Sequence, residues 1–268
     1  MRNFILFLIV LFSAVGYGQE MPIKGTPADT IQFRKYRLLI KDLNLFIKNS
    51  PNNAEHYFKR GEYYIMLQDY RQAIADFTRS IEISKGLEAA PYYKRGSVYD
   101  RLGDNTNAIL DFSMVIKLMP DFEWGFNDRG MIYTEMGDYQ KAEADLKKAI
   151  ALKPQWSVAY ASLGYLHDVK KEKLKAKENY EKALKLDVGS SLAHNNLGVI
   201  YFSEKQYDKA IEHYNSAIHY SPKYFNAYRN RADAKNAKGD TAGACEDIKT
   251  ATALGDTKAA ALTKNYCK

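Results

Sequence analysis

Residues 123–156 read EWGFNDRGMIYTEMGDYQKAEADLKKAIALKPQW, and the glycine, alanine and large apolar positions of this stretch have counterparts 34 residues away. Gly130 is preceded by Phe126, four residues earlier, and followed by Tyr133 and Ala142, three and twelve residues later. Small residues in the same role stand at Gly61, Gly96, Gly130, Gly164, Gly198 and Ala232, at intervals of 35, 34, 34, 34 and 34. Twelve residues after each comes an alanine: Ala73, Ala108, Ala142, Ala176, Ala210 and Ala244. The column three after the small residue reads Tyr64, Tyr99, Tyr133, His167, Tyr201 and Lys235, and the column four before it reads Tyr57, Tyr92, Phe126, Tyr160, His194 and Tyr228. Sixteen after the small residue stand Phe77, Phe112, Leu146, Tyr180, Tyr214 and Ile248. A fixed period of this length marks supersecondary units that bury their apolar faces only by stacking on their neighbours.

Each column has a physical reading. The small residue lets a first helix approach its partner closely, the alanine does the same from a second helix, and the aromatics fill the space between. Gly-Asp pairs at 103–104, 137–138 and 239–240 read as tight turns between the two helices, because glycine takes the left-handed conformation without steric cost. Thirteen of the 21 tyrosines fall in four framework columns, which assigns them to packing rather than to a stacking surface for ligands.

On these columns the chain resembles the tetratricopeptide repeat family over residues 54–258. The resemblance implies an all-α, right-handed superhelical solenoid of six helix-turn-helix repeats, at about 54–88, 89–122, 123–156, 157–190, 191–224 and 225–258. Gly86 is expected to absorb the one extra residue, near Ser84 to Glu88. Repeat six departs from the pattern with Ala232 and Lys235, and repeat four has Lys171-Glu172 at its turn. Upstream, residues 31–53 are expected to form a lone amphipathic capping helix, and downstream 259–268 a short closing cap.

Composition agrees with a folded chain. Of 268 residues, 46% are hydrophobic and 26% charged, with only 7 Pro and 16 Gly, which excludes disordered and collagen-like classes. Met1-Arg2-Asn3 followed by the apolar run Phe4–Val15 reads as a secretory signal peptide over residues 1–18, cleaved after Gly18, with 19–30 a loose leader. This run of twelve residues, broken only by Ser13, is too short to cross a bilayer, which takes about 20, so no stable membrane span is expected after cleavage. Gln19, not cysteine, follows the signal, so lipid anchoring is not expected. The expected location is periplasmic or secreted. In that setting Cys245 and Cys267, the only thiols, are expected to form a structural disulfide that clamps the C-terminal cap. A nucleophilic cysteine is the alternative, but no histidine column adjoins Cys245.

Two patterns bear on function. The residue before the small column reads Arg60, Arg95, Arg129, Leu163, Leu197 and Arg231, and the residue fifteen after it reads Asp76, Asp111, Asp145, Asn179, His213 and Asp247. Arginine and aspartate come and go together, which predicts pairing of a guanidinium with a carboxylate of the second-helix layer, within its repeat or across to a neighbour. The five histidines make no metal site. No nucleotide-binding, serine-hydrolase or zinc-protease motif is present, so no cofactor, metal or catalytic residue is expected and the chain reads as non-catalytic.

The resemblance further implies that the first helices line a ligand groove. Carried onto this chain, the ligand-facing columns include Phe58, Glu62, Tyr93, Asp100, Trp124, Asn127, Met131, Tyr165, Asp168, Asn195, Phe202 and Arg229. The full set of these columns carries five acids, Glu55, Glu62, Asp100, Asp168 and Asp233, against Arg229. Family members that grip a C-terminal carboxylate place Lys and Asn where Phe58 and Glu62 stand, so that grip is absent. The chain as a whole is +7, yet no segment stands out as a basic cluster, and an acidic groove disfavours nucleic acid. The expected partner is a protein or peptide of the cell envelope with apolar and basic side chains, bound by a scaffold or adaptor. An accessory role in cell-wall glycan processing or in secretion or pilus assembly is the alternative. Weak self-association through the N-terminal helix or an exposed end of the solenoid is a third.

Overall fold

The structure is a computed structural model that describes residues 31–267, so the expected signal peptide and leader lie outside the described residues. Among the described residues there are fourteen α-helices and no strand. The chain divides into two compact units at Pro154/Gln155.

The first unit holds α1 (Ile31–Asn49), α2 (Ala54–Met66), α3 (Tyr70–Ile83), α4 (Ala89–Arg101), α5 (Asn105–Leu118), α6 (Glu123–Met136) and α7 (Tyr139–Leu152). The second holds α8 (Ser157–Val169), α9 (Lys173–Leu186), α10 (Ser191–Ser203), α11 (Tyr207–Tyr220), α12 (Phe225–Ala237), α13 (Thr241–Ala253) and α14 (Thr257–Tyr266). Within each unit consecutive helices pack in pairs, α2 with α3, α4 with α5 and α6 with α7, then α8 with α9, α10 with α11 and α12 with α13. This is an all-α repeat of helix pairs.

The pairs close on the predicted columns. All six alanines from Ala73 to Ala244 are fully buried, as are Phe77, Phe112, Leu146, Tyr180, Tyr214 and Ile248. A Cβ placed on Gly198 would come within 2.5 Å of the Tyr214 ring, and one on Gly61 within 2.8 Å of Phe77. Glycine is needed there for space, not for its dihedrals. At the turns the dihedrals matter: Gly103, Gly137 and Gly239 all have positive φ, and the aspartate after each caps the next helix through the backbone N–H of Asn107, Lys141 or Gly243. Gln68, Lys171 and Lys205 take the same left-handed conformation without being glycine, at a cost of about 1 kcal/mol each. The extra residue between α3 and α4 is absorbed by two positive-φ residues, Lys85 and Gly86.

The arginine and aspartate columns meet within the repeat. Arg60–Asp76, Arg95–Asp111, Arg129–Asp145 and Arg231–Asp247 form four two-pronged pairs with N···O distances of 2.6–2.9 Å. Each guanidinium donates a third bond to the preceding second-helix layer: to Asn44, Thr78, Ser113 and Asn215 at 2.6–2.9 Å. It also lies 5.5–6.0 Å from one or two framework tyrosine rings. One arginine thus clamps three helices. That Asn44 serves Arg60 shows that α1 stands where the second helix of an earlier repeat would.

Repeats four and five lack the clamp. Asn179 turns back to the Lys175 carbonyl at 2.8 Å, and His213 faces His194 with the two Nδ1 atoms 3.2 Å apart. His194 Nε2 lies 3.0 Å from the Val188 carbonyl, which can only accept, so the hydrogen sits on that nitrogen and His194 Nδ1 accepts from His213. Burial, then the neighbouring His194 and Lys177, push the His213 imidazole down to about 4.

At the C-terminal end α14 packs on α13. Asp256 caps α14 through the backbone N–H groups of Lys258 and Ala259. A disulfide joins Cys245 of α13 to Cys267.

Candidate functional site

In the first unit the first helices are α2, α4 and α6. Along α2, Phe58 is half-buried with its ring 5.7 Å from Phe77, and Glu62 accepts Lys94 Nζ of α4 at 2.9 Å. Tyr93 is buried between the Phe112 and Phe122 rings, 5.7 and 5.4 Å away. Its hydroxyl donates to Asp128 of α6 at 2.7 Å. Asn127 is buried and donates from Nδ2 to the other Asp128 oxygen at 3.1 Å, while its Oδ1 is buried without a partner. Met131 is buried, Trp124 half-buried and Asp100 exposed.

The sequence placed Tyr93, Asn127 and Met131 against a ligand; the structure buries all three, and Tyr93 joins α4 to α6 through its bond to Asp128. Asp128, two residues before Gly130, lies outside the ligand-facing columns and receives the bonds of both Tyr93 and Asn127. No cation stands among its hydrogen-bond partners. Desolvation raises its carboxyl to about 6, against the two bonds from Tyr93 and Asn127 and assisted by the charge of Asp100. Asp100 itself is raised by desolvation, more than Arg101 lowers it, and Glu135 is raised by burial. Three carboxyls on the first helices of this unit, Asp100, Asp128 and Glu135, are thus raised by desolvation.

In the second unit the first helices are α8, α10 and α12. Tyr165 and Asp168 are half-buried, and desolvation raises the Asp168 carboxyl despite Lys171 and Lys173. Asn195 is buried, bonded to Asn196 at 3.1 Å and accepting from Asn230 at 2.9 Å. Phe202 is half-buried, 5.6 Å from the Tyr207 ring. Arg229 is ion-paired with buried Asp256 and bonded to Asn226 at 2.8 Å. The base that the sequence assigned to this face is thus engaged by the cap of α14, which no column signalled because Asp256 lies outside the periodic pattern.

A hollow of about 290 Å³ opens beside the missing clamp of repeat five, lined by Glu181, Leu184, Lys185, Leu197, Tyr201 and His213. Leu197 stands in the arginine column, His213 in the aspartate column, and Glu181 sixteen residues before Leu197, the offset at which Arg60, Arg129 and Arg231 find their third partner. The space is what an absent arginine leaves. Lys177 supplies the cation over Tyr201 instead, its Nζ 4.3 Å from the ring centre. Among the described residues no group of three metal-ligating side chains comes together, and no helix is long and apolar enough to cross a membrane.

Comparison with known proteins bears on the fold. Two family models, both described as tetratricopeptide repeat, match residues 124–155 and 191–224, and residues 54–86, 89–122 and 157–187. No curated protein matches the chain in sequence. Among solved structures, a tetratricopeptide repeat protein from Parabacteroides merdae aligns with a TM-score of 0.75 at 17% identity, over 88% of this chain and 100% of that one. A chain of the APC/C hetero-tetramer Cut9-Hcn1 aligns with a TM-score of 0.72 at 20% identity, over 88% of this chain but 46% of that chain, so the present chain spans about half its length. A thermophilic TPR protein in Thermus thermophilus aligns with a TM-score of 0.60 at 19% identity, over 68% of this chain and 98% of that chain. At these identities the likeness concerns the fold alone. With five of its repeats matched by the family models and its helices paired in the family's pattern, the chain belongs to the tetratricopeptide repeat family.

Proposed function

We propose that the chain is a non-catalytic adaptor of the cell envelope, and that the first-helix face of α2, α4 and α6 binds a peptide segment carrying basic and apolar side chains. The tetratricopeptide fold supports a protein-interaction scaffold in general. The finer reading rests on Asp128, a desolvated carboxylate bonded to Tyr93 and Asn127, with a second carboxylate, Asp100, close enough to raise it. A Lys or Arg side chain from a ligand would supply the countercharge, and half-buried Phe58 and Trp124 would take apolar neighbours. An envelope location is favoured by the signal-peptide reading of residues 1–18 and is compatible with the Cys245–Cys267 bond, which persists in oxidising compartments.

The test is a photo-crosslinking residue at Ser97 of α4, introduced into the protein in its own cells, with captured species identified by mass spectrometry. One dominant envelope protein is expected, with capture lost in the Asp128→Asn variant. Capture of nothing, or capture that Asp128→Asn leaves unchanged, would overturn the assignment.

A further inference from the structure

The N-terminal helix α1 carries surface that its capping role does not use. Its inner side packs on the first repeat: Ile40 and Leu43 are buried, Tyr36 stacks on Tyr63 at 5.9 Å, and Asn44 accepts from Arg60. On the outside, Ile31, Leu38, Leu45 and Phe46 are 88, 63, 57 and 53% exposed. Among the described residues no other helix carries more than one exposed large apolar side chain. At about 100° per residue, Ile31, Leu38 and Leu45 fall seven apart into one row, directly opposite Ile40 and Leu43.

Charge follows the same row. Arg34, Lys41 and Lys48 run along one side of it, and Lys35 along the other, all exposed. With Arg37, α1 holds five basic residues against Asp42 alone, a net +4 in a chain of +7. The basic cluster that the sequence reading did not find is therefore here, spaced around a helix rather than run together.

We propose that the outer face of α1 docks this protein peripherally on an anionic membrane surface, with Ile31, Leu38 and Leu45 entering the headgroup boundary and the flanking lysines and arginines meeting lipid phosphates. A basic rim around an apolar row on an interfacial helix is the composition that such surfaces bind. A second copy of the chain is a poorer occupant, because pairing two α1 faces would bring together two surfaces of +4. Docking through α1 leaves the first-helix face of α2, α4 and α6 out of the contact, so this inference stands apart from the peptide-binding proposal.

The experiment uses the chain with residues 1–18 removed and follows its co-sedimentation with vesicles of phosphatidylcholine alone or with about 30% phosphatidylglycerol. Binding is expected only with the anionic vesicles, falling by tenfold or more between about 0.1 and 0.5 M salt. It is expected to fall at least tenfold in Leu38→Glu/Leu45→Glu and in Lys41→Glu/Lys48→Glu. These positions are exposed, and unchanged circular dichroism and melting temperature would show that the variants fold. Three outcomes would overturn the proposal: no binding of the folded parent to anionic vesicles, binding that neither variant weakens, or a concentration-dependent dimer in sedimentation that Leu38→Glu/Leu45→Glu abolishes.

Discussion

Replacing Asp128 by asparagine removes a charge from the first-helix face of α6 while keeping the shape of the side chain. The structure gives the expected change in stability. The carboxyl is raised from 3.8 to about 6 by desolvation, and a tenfold change in an acidity constant corresponds to about 1.4 kcal/mol. The ionised form is thus disfavoured in the folded chain by an upper limit of about 3 kcal/mol. Because an acid with a raised pKa binds more protons folded than unfolded, its penalty is absent below pH 3.8, grows between pH 3.8 and about 6, and is constant above. Asparagine keeps an acceptor for the Tyr93 hydroxyl, and its amide can donate to the Asn127 Oδ1 that is buried without a partner. The variant is expected to be more stable than the parent by about 2 kcal/mol at pH 7 and equal to it at about pH 3.5. Urea unfolding followed by circular dichroism at the two pH values measures this, with unchanged m-values as the check that the same transition is compared. A variant no more stable than the parent at pH 7 would refute the reasoning, since it would mean that a countercharge already neutralises Asp128. A rise in stability at the expense of ligand capture is the signature of a residue kept for binding.

The clamps make two further predictions. Asp111→Ala leaves the Arg95 guanidinium, hydrogen-bonded to Asp111 through two nitrogens, with Thr78 as its remaining bond; a loss of about 3 kcal/mol is expected in denaturant titration with peptide capture unchanged, and an unchanged midpoint would refute the clamp's structural role. In repeat five, Leu197→Arg with His213→Asp would rebuild a clamp in the hollow of about 290 Å³, with a coupling of about 1–3 kcal/mol in a double-mutant cycle, and strictly additive single effects would count against it. The same variant should flatten the acid limb of stability. In the parent, His213 is depressed from 6.5 to about 4, so its neutral form supports folding above pH 6.5 and that support is lost as pH falls toward 4.

The repeat was legible because its packing is periodic: Gly198 against Tyr214 and Ala210 in the core recur with the chain's own spacing, and co-variation of Arg95 with Asp111 across copies identified a contact before its geometry was known. That the pair lies within one repeat needed the structure. The ligand-facing columns were less legible, since a first helix has one face toward solvent and another toward the next first helix, and both repeat every 34 residues. Tyr93 and Asn195 fell on the side that meets the neighbour, bonded to Asp128 and Asn230. Features that break the period, such as Asp256 engaging Arg229 or the basic row of α1, had no column to reveal them.

The third bond of each clamp has a consequence for how the second unit opens. Where Arg231 reaches back to Asn215, it ties α12 and α13 to α11, so these helices are expected to exchange their amide hydrogens as one cooperative block. Between α9 and α10 no arginine makes such a tie, because Leu197 stands in its place. Cooperativity in a repeat array is the strength of its seams. With only the Asn196–Tyr180 and Lys173–Ser203 bonds and the Lys177–Tyr201 contact in its place among the described residues, the α9–α10 seam is where sub-global opening of this unit is expected to begin, with α10 to α13 exchanging later as a separate foldon in an amide hydrogen-exchange measurement.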